Sequence, residues 1–305
     1  MNVFLTLSIA IILDAITGEP RTIWEKFSHP VVLMGNIINW FERKYNHGFN
    51  KTRNGILTII TLVIISMSFG IVLHLLPYTW ILEVVLVTIL LAYKSLVDHI
   101  SLVSNASKSS LEESRLMVSK IVGRDVNVLD EAGVSRSALE SAAENLSDGF
   151  VAPIFWYLLL GLPGILGYKM INTADSMIAH KNEKFLEFGW ATAKLDDIVN
   201  FIPARITALL ILISGSQTRK INIVYRDAKL HRSPNAGWPE AAMAVVLGIA
   251  LAGPRSYDGQ NGKDPFINSD GEHSLSSYHI DNGIRILQKT WVVTLTLLFL
   301  AGVLL

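Results

Sequence analysis

Residues Gly55–Leu76 read GILTIITLVIISMSFGIVLHLL, without a single Asp, Glu, Lys or Arg. Roughly twenty predominantly apolar residues are what a helix needs to cross the hydrocarbon core of a bilayer. In hydrocarbon every backbone N–H and C=O must be satisfied inside the segment, so a transmembrane helix is expected here. Pro77-Tyr78-Thr79 reads as a turn. Trp80–Val97 follows as a second long apolar run, with Tyr78 and Trp80 at headgroup level. The two runs are expected to form a transmembrane hairpin. Arg21, Lys26, Arg43, Lys44, Lys51 and Arg53 precede it, and Lys94, Lys108, Arg115, Lys120, Arg124 and Arg136 follow. The connecting turn carries no Lys or Arg, so the positive-inside rule puts both flanks in the cytoplasm.

Composition agrees. Half of the residues are hydrophobic and 17% are charged, against about 25% in soluble domains. The net charge is zero, which gives no support to bulk attraction for nucleic acid. The chain has no cysteine, which excludes disulfides, thiolate catalysis, Fe–S clusters and cysteine-type zinc sites and leaves the redox compartment open. The opening MNVFLTLSIAIILDAITGEP has no basic residue before its apolar stretch and no small-residue cleavage site after Asp14, so it reads as a short retained helix. Later apolar runs are broken: Phe150–Tyr168 contains Pro153 and Pro163, and Val199–Gly215 contains Arg205. Pro239–Gly253 is short, and Trp291–Leu305 closes the chain. Such runs are tolerated at membrane depth only where protein or a polar cavity surrounds them. Lys108–Asn127 and Ser135–Asp148 read as helices joined by a Gly123–Asp125 turn, and Gly253–Asp281 as a long polar loop. No strand-like alternation is sustained. The expectation is an all-α, polytopic membrane bundle with broken or re-entrant helices. It would be a single membrane-embedded domain over 1–305, with polar cytoplasmic segments about 98–149 and 216–238 and a long loop 253–281.

Four polar groupings carry the candidate chemistry. Glu140, Glu144 and Asp148 are spaced by four and would share a helix face. Like charges at that spacing repel, which a Mg²⁺ or a cationic group would relieve. A competing reading makes Ser137 an N-cap and Glu140 its capping-box partner. Asn172, Thr173, Asp175 and Ser176 offer amide, hydroxyl and carboxylate groups suited to hydrated Mg²⁺ or a phosphate, although Asn172 could cap a helix end and Asp175 a helix start. In the third grouping Asp196 shares a face with Asn200, and Lys194 with Asp197. Arg205 then falls inside an apolar run and needs a carboxylate or phosphate partner. A structural pair with Asp197 or Glu144 is the competing reading. Finally, Ser233-Pro234-Asn235-Ala236-Gly237 forms a turn before Pro239, where helix-start N–H groups could meet an anion. No G-x-x-x-x-G-K-[ST], G-x-G-x-x-G or H-E-x-x-H occurs.

The order of these motifs is more specific than any one of them. D-x-x-x-G-E-P from Asp14, H-P-V-V-L-M-G from His29, G-R-D from Gly123 and E-S-A-A-E-N-L-S-D-G-F-V-A-P from Glu140 come first. N-T-A-D-S-M from Asn172, D-D-I-V-N-F-I-P-A-R from Asp196 and S-P-N-A-G-W-P-E-A-A-M-A from Ser233 follow. The series resembles the adenosylcobinamide-phosphate synthase family of cobalamin biosynthesis, the CobD/CbiB family, from about Asp14 to Tyr257. The resemblance implies a multi-pass protein of the cell inner membrane with its active site facing the cytoplasm. It implies ATP-dependent amide ligation of adenosylcobyric acid to aminopropanol phosphate or ethanolamine phosphate. ATP and Mg²⁺ are the implied cofactors. The implied partners are the corrinoid, the amino-alcohol phosphate and the bilayer, with other membrane proteins of the pathway as candidates and no nucleic acid. Glu140, Glu144 and Asp197 are then the candidate catalytic residues. Arg124, Asn145, Asn172, Lys194, Arg205 and Asn235 are candidates for substrate or phosphate binding, and Asp148, Asp175 and Asp196 for the metal. Two other classes compete: a transporter whose membrane-edge acids form a path, and a corrinoid-handling scaffold. The acids lie mostly beside the apolar runs and no inverted repeat shows, which disfavours the transporter.

Overall fold

The structure, a computed structural model, describes residues 2–304 apart from Tyr78, Lys181, Arg255, Asp258, Gly259, Gly262 and Lys263. Tyr78, expected at headgroup level, therefore lies outside the described residues, as do five residues of the expected 253–281 loop. The helices are α1 (Val3–Thr17), α2 (Arg21–Trp24), α3 (Pro30–Tyr45), α4 (Lys51–His74), α5 (Thr79–Leu90), α6 (Tyr93–Ser109) and α7 (Leu111–Val118). They continue with α8 (Glu131–Leu146), α9 (Ala152–Ile178), α10 (Trp190–Val199), α11 (Phe201–Ser214), α12 (Ile221–Asp227), α13 (Gly237–Leu247) and α14 (Ser277–Leu304). Four two-residue strands form two antiparallel pairs: β1 (Leu251–Ala252) with β4 (Phe266–Ile267), and β2 (Ser256–Tyr257) with β3 (Gln260–Asn261). The all-α reading holds, and the strands only fasten the 253–281 segment.

Four helical runs are long and apolar enough to cross a bilayer: Lys51–His74, Trp80–Ser109, Glu131–Ile178 and Ser277–Leu304. Trp190–Val199 with Phe201–Ser214 makes a fifth if the bent pair counts as one span. The protein is thus a multi-pass membrane protein by helix length and composition. α4 shows why. It turns Leu57, Ile60, Ile64 and Phe69 outward, while Ile59, Leu62, Ser66 and Gly70 are buried. An apolar outer face is costly in water and ordinary against lipid.

The chain divides into two compact units. The first comprises residues 1–92, 152–200 and 298–305, the second 93–151 and 201–297. In the first, α4 packs along α9 through small residues. A Cβ on Gly70 would meet the Pro163 backbone at 2.7 Å, and one on Gly167 would meet the Met67 side chain at 2.9 Å; such close approach is how helices associate without a hydrophobic drive. α9 breaks where its sequence demands it. Gly161 takes φ 63° and ψ −147°, and Pro163 lacks an N–H. Glu83, on an apolar helix, accepts a hydrogen bond from Tyr157 Oη at 2.8 Å and lies 2.7 Å from His74 Nδ1.

In the second unit several boundaries differ from expectation. Lys108–Asn127 is not one helix: α6 runs on to Ser109, Ser110 Oγ accepts from Glu113 N to start α7, and α7 stops at Val118. α8 begins at Glu131, because Asp130 Oδ1 accepts from Gly133 N at 2.7 Å. It ends in a π-helical turn, Ser147–Val151. Sequence periodicity marks the helical stretches but not which of several Asp, Ser and Asn residues becomes the cap.

His29 caps α3, its Nδ1 accepting from Val31 N at 3.2 Å. Burial, helped by Lys169 and opposed by Glu19, holds its pKa below the ordinary 6.5. The unfolded chain then binds a proton first, so this part of the stability is complete above pH 6.5 and is lost as pH falls through the lowered folded value. His29→Asn keeps a capping acceptor and removes the titration. The drop in melting temperature of the detergent-solubilised protein between pH 7 and 5 is expected to shrink in that variant.

Candidate functional site

Within the first unit the candidate residues gather on two packed helices. α9 presents Asn172 and Asp175, and α10 presents Lys194, Asp196 and Asp197. Both Asn172 and Asp175 lie inside α9, so neither is a helix cap. The helices meet closely because residue 189 is glycine: a Cβ there would stand 1.8 Å from the Ile178 carbonyl oxygen. Asp196 is fixed by a relay of buried groups. Tyr168 Oη donates to Asn200 Oδ1 at 3.0 Å, and Asn200 Nδ2 donates to Asp196 Oδ2 at 3.0 Å. The other oxygen, Asp196 Oδ1, is buried and has no hydrogen-bond partner. Asp175, Asp197 and Asn172 all lie close enough to act electrostatically on the Asp196 carboxylate. Thr173 and Ser176, grouped with these residues in the sequence, turn their hydroxyls back to the Lys169 and Asn172 carbonyls. Lys194 Nζ sits 3.8 Å from Asp197 Oδ2 on the surface.

No group of three or more His, Asp or Glu side chains among the described residues closes around a metal ion. Mg²⁺ does not require one. It keeps several waters and is commonly held by one or two carboxylates together with substrate phosphates. A buried carboxylate oxygen without a partner, beside two further aspartates, has the donor chemistry for that role. Asp148, the third residue of the expected metal set, belongs to the other unit.

The second unit holds the remaining candidates. Glu140 is 2% exposed. Its Oε2 accepts from Arg124 Nη2 at 2.6 Å and its Oε1 from the Ala252 N–H at 2.7 Å, and Arg124 Nη1 reaches Ser137 Oγ at 3.2 Å. The capping-box reading fails because α8 has already started at Glu131. Ser137 donates to the Gly133 carbonyl instead. Glu140 and Arg124 thus tie β1 and the turn at residue 124 onto α8. Glu144 and Asn145 follow on the exposed side. They line a cavity of about 290 Å³ with Arg124, Glu140, His231 and Glu240. Asp148 does not line it: the π-turn that begins at Ser147 breaks the α-helical register, so the three spaced carboxylates do not share one wall.

Arg205 pairs with neither Asp197 nor Glu144. Its Nη1 donates to the Phe201 carbonyl at 2.6 Å and to Asn235 Oδ1 at 3.1 Å, and its Nη2 to the Pro234 carbonyl at 3.3 Å. The guanidinium stacks 3.6 Å from the Phe201 ring centroid and 4.6 Å from that of Trp238. Asn235 therefore positions Arg205. The Asn235 and Ala236 N–H groups, expected to meet an anion, both donate to Ser233 Oγ.

A second cavity, about 580 Å³, opens beside Arg205. Tyr225, Lys229, Arg232 and Trp238 contribute to its walls, and His231 lines both cavities. Ser233 N donates to His231 Nδ1 at 3.0 Å, which assigns the ring proton of the neutral imidazole to Nε2, 3.4 Å from Glu240 Oε1. Lys229 holds the Tyr225 phenol below the usual tyrosine range by hydrogen bonding to it. Sequence reasoning missed Lys229, His231, Arg232 and Glu240. The signal was present as a basic and aromatic run, YRDAKLHR, ahead of the Ser-Pro-Asn turn, but its spacing matches no motif.

Breaking the buried Arg124–Glu140 pair would strand a charge. Glu140→Ala is expected to cost about 3–5 kcal/mol, read as a large fall in thermal midpoint. Lys194→Ala, which removes an exposed pair, is expected to change stability by less than about 1 kcal/mol.

The sequence profile of the CobD/Cbib protein family matches residues 7–287. The chain is similar to the cobalamin biosynthesis protein CobD of Brucella suis biovar 1, 46% identical over 94% of this chain and 93% of the relative. It is similar also to that of Sinorhizobium fredii, at 45% over 95% and 94%, and to that of Rhodobacter capsulatus, at 42% over 88% of each. No solved structure matches it.

Proposed function

The chain belongs to the CobD/CbiB family of cobalamin-biosynthesis proteins, and from that premise we propose that it is a membrane-bound amide ligase. It joins the propionate carboxylate of adenosylcobyric acid to the amine of aminopropanol phosphate or ethanolamine phosphate, at the expense of ATP and on the cytoplasmic side of the inner membrane. The observation that carries this reading is the half-satisfied Asp196 carboxylate beside Asp175 and Asp197. A buried carboxylate oxygen without a donor is costly and suits a divalent cation shared with nucleotide phosphates.

A carboxylate does not condense with an amine unaided, because its oxygen is a poor leaving group. In the proposed sequence the substrate carboxylate attacks the γ-phosphorus of ATP and ADP leaves, giving an acyl phosphate. The amine, after losing a proton from its ammonium form, attacks the acyl carbon. The acyl C–O bond breaks, inorganic phosphate departs, and a second proton leaves the nitrogen. One proton ends on the phosphate and one in solvent. Mg²⁺, when bound, would supply positive charge that screens the charge developing on the phosphates. Asp175 and Asp196 are the residues that would hold it, with Asn200 and Tyr168 orienting Asp196. Asp197, beside them, is the carboxylate that would take protons.

Purified in detergent with ATP, Mg²⁺, adenosylcobyric acid and aminopropanol phosphate, the protein is expected to form an amide product with one ADP per product. Asp196→Asn should lower the rate by at least about tenfold, with the folded helical signal unchanged. Corrinoid movement across vesicles without ATP and without a new product would refute the ligase reading.

A further inference from the structure

Helix α3, in the first unit, changes character along its exposed face. Near its start Val32, Leu33 and Ile37 point outward, while Met34, Ile38 and Glu42 turn inward. Toward its C-terminus the outward face becomes aromatic and cationic. There Trp40, Arg43 and Lys44 line, with Asn36 and Asn39, an open groove of about 480 Å³. Lys44 Nζ stands 4.6 Å from the Trp40 ring centroid and 5.4 Å from that of Tyr45, contacts that hold an ammonium without cancelling it. The one carboxylate of the helix is no counterion for this groove. Glu42 is buried on the other side, where its Oε1 lies 3.1 Å from Lys184 Nζ and accepts from Asn46 Nδ2 at 3.2 Å. Neither Arg43 nor Lys44 forms an ion pair among the described residues.

The groove sits at the level of a bilayer surface. Asn54 Nδ2 donates to the Tyr45 carbonyl at 2.9 Å, so α3 ends beside the start of α4, a candidate span. Lys51 and Arg53 open that span, and its uncharged run begins at Gly55. α3 also advances alongside α9: Lys169 acts on His29 before its first turn, and a Cβ on Gly35 would meet Met177 Sδ at 3.3 Å. From Leu33 to Lys44 a helix rises about 16 Å, close to half of the roughly 30 Å hydrocarbon core. Apolar residues, then a Trp, then Arg and Lys follow the order of a leaflet from its interior to its headgroups. We propose that this groove binds the headgroup of an anionic phospholipid. The phosphate lies between Arg43 and Lys44, the Asn36 and Asn39 amides donate to ester and glycerol oxygens, and an acyl chain follows Ile37 and Leu33 toward the bilayer interior. A soluble phosphate compound would meet the same cations and leave the apolar track unused. The claim is independent of the ligase reading.

The full chain, purified in an uncharged detergent, is titrated separately with dioleoylphosphatidylglycerol, dioleoylphosphatidylcholine and glycerol 3-phosphate, and bound molecules are counted by native mass spectrometry. Phosphatidylglycerol is expected to be retained at a concentration at least about tenfold lower than phosphatidylcholine, and glycerol 3-phosphate is not expected to bind in that range. Arg43→Gln combined with Lys44→Gln alters exposed side chains and should bring phosphatidylglycerol down to the level of phosphatidylcholine. Lys44→Gln alone should remove about threefold of the preference, a second reading should the double variant not fold. Lys120→Gln, an exposed cation of the other unit, should leave the preference in place. Equal retention of the two lipids overturns the proposal, as does a preference that survives in the Arg43 and Lys44 variants. A loss as large in Lys120→Gln overturns it too, because the attraction would then belong to the charge of the whole surface. Glycerol 3-phosphate binding as tightly as the lipid would make this a site for a soluble phosphate, and a dimer that binds no lipid and comes apart in the double variant would make it a contact between copies; either result overturns the lipid assignment.

Discussion

A charge placed beside apolar helices must be matched inside the protein, because lipid offers it nothing. Most of the buried charge in this chain obeys that constraint. Glu83 is met by Tyr157 and His74, and Glu140 by Arg124 and a backbone N–H. These pairs let polar residues sit among helices that are apolar enough to cross a bilayer, and they fix the loops that reach across helix ends. The places where matching is incomplete stand out against this background. Asp196 keeps one carboxylate oxygen without a donor, and Arg205 and Lys229 keep charges that neutral groups hold but do not cancel. A folded chain tolerates such sites where a ligand completes them.

The two kinds of incompleteness differ chemically. A half-satisfied carboxylate among aspartates suits a divalent cation and, through it, nucleotide phosphates. The family to which the chain belongs works in cobalamin biosynthesis. Rigid supports serve both sites. The Tyr168–Asn200 relay sets Asp196, and Asn235 with Phe201 sets Arg205, so little rearrangement is needed before a ligand binds.

Helical membrane architecture was legible because hydropathy and backbone satisfaction leave few alternatives. The first two long apolar runs, the break near Pro163 and the Asp196–Asn200 face could all be read from spacing. The capping of α8 could not, since Asp130, Ser135 and Ser137 are all plausible starters and only packing chooses among them. The π-turn after Leu146 was equally invisible, and with it the departure of Asp148 from the wall that Glu140 and Glu144 share. Arg205 was marked as a residue that needs a carboxylate or phosphate partner. Its partners proved to be carbonyls, an amide and two aromatic rings, none of which a charge-matching argument would name.

By itself the sequence determined the class of fold, the first two apolar runs long enough to cross a bilayer and the family, because each follows from local composition or from motifs in fixed order. Tertiary structure decided which candidate residues do structural work and which line a cavity. Glu140 became a clamp, Asn235 a support for Arg205, and His231 and Glu240 the link between two cavities. That assignment depends on distances between residues as far apart as Arg124 and Glu240, Arg205 and Trp238, or Glu140 and Ala252. Such distances are set by helix packing and loop closure, which no periodicity along the chain records.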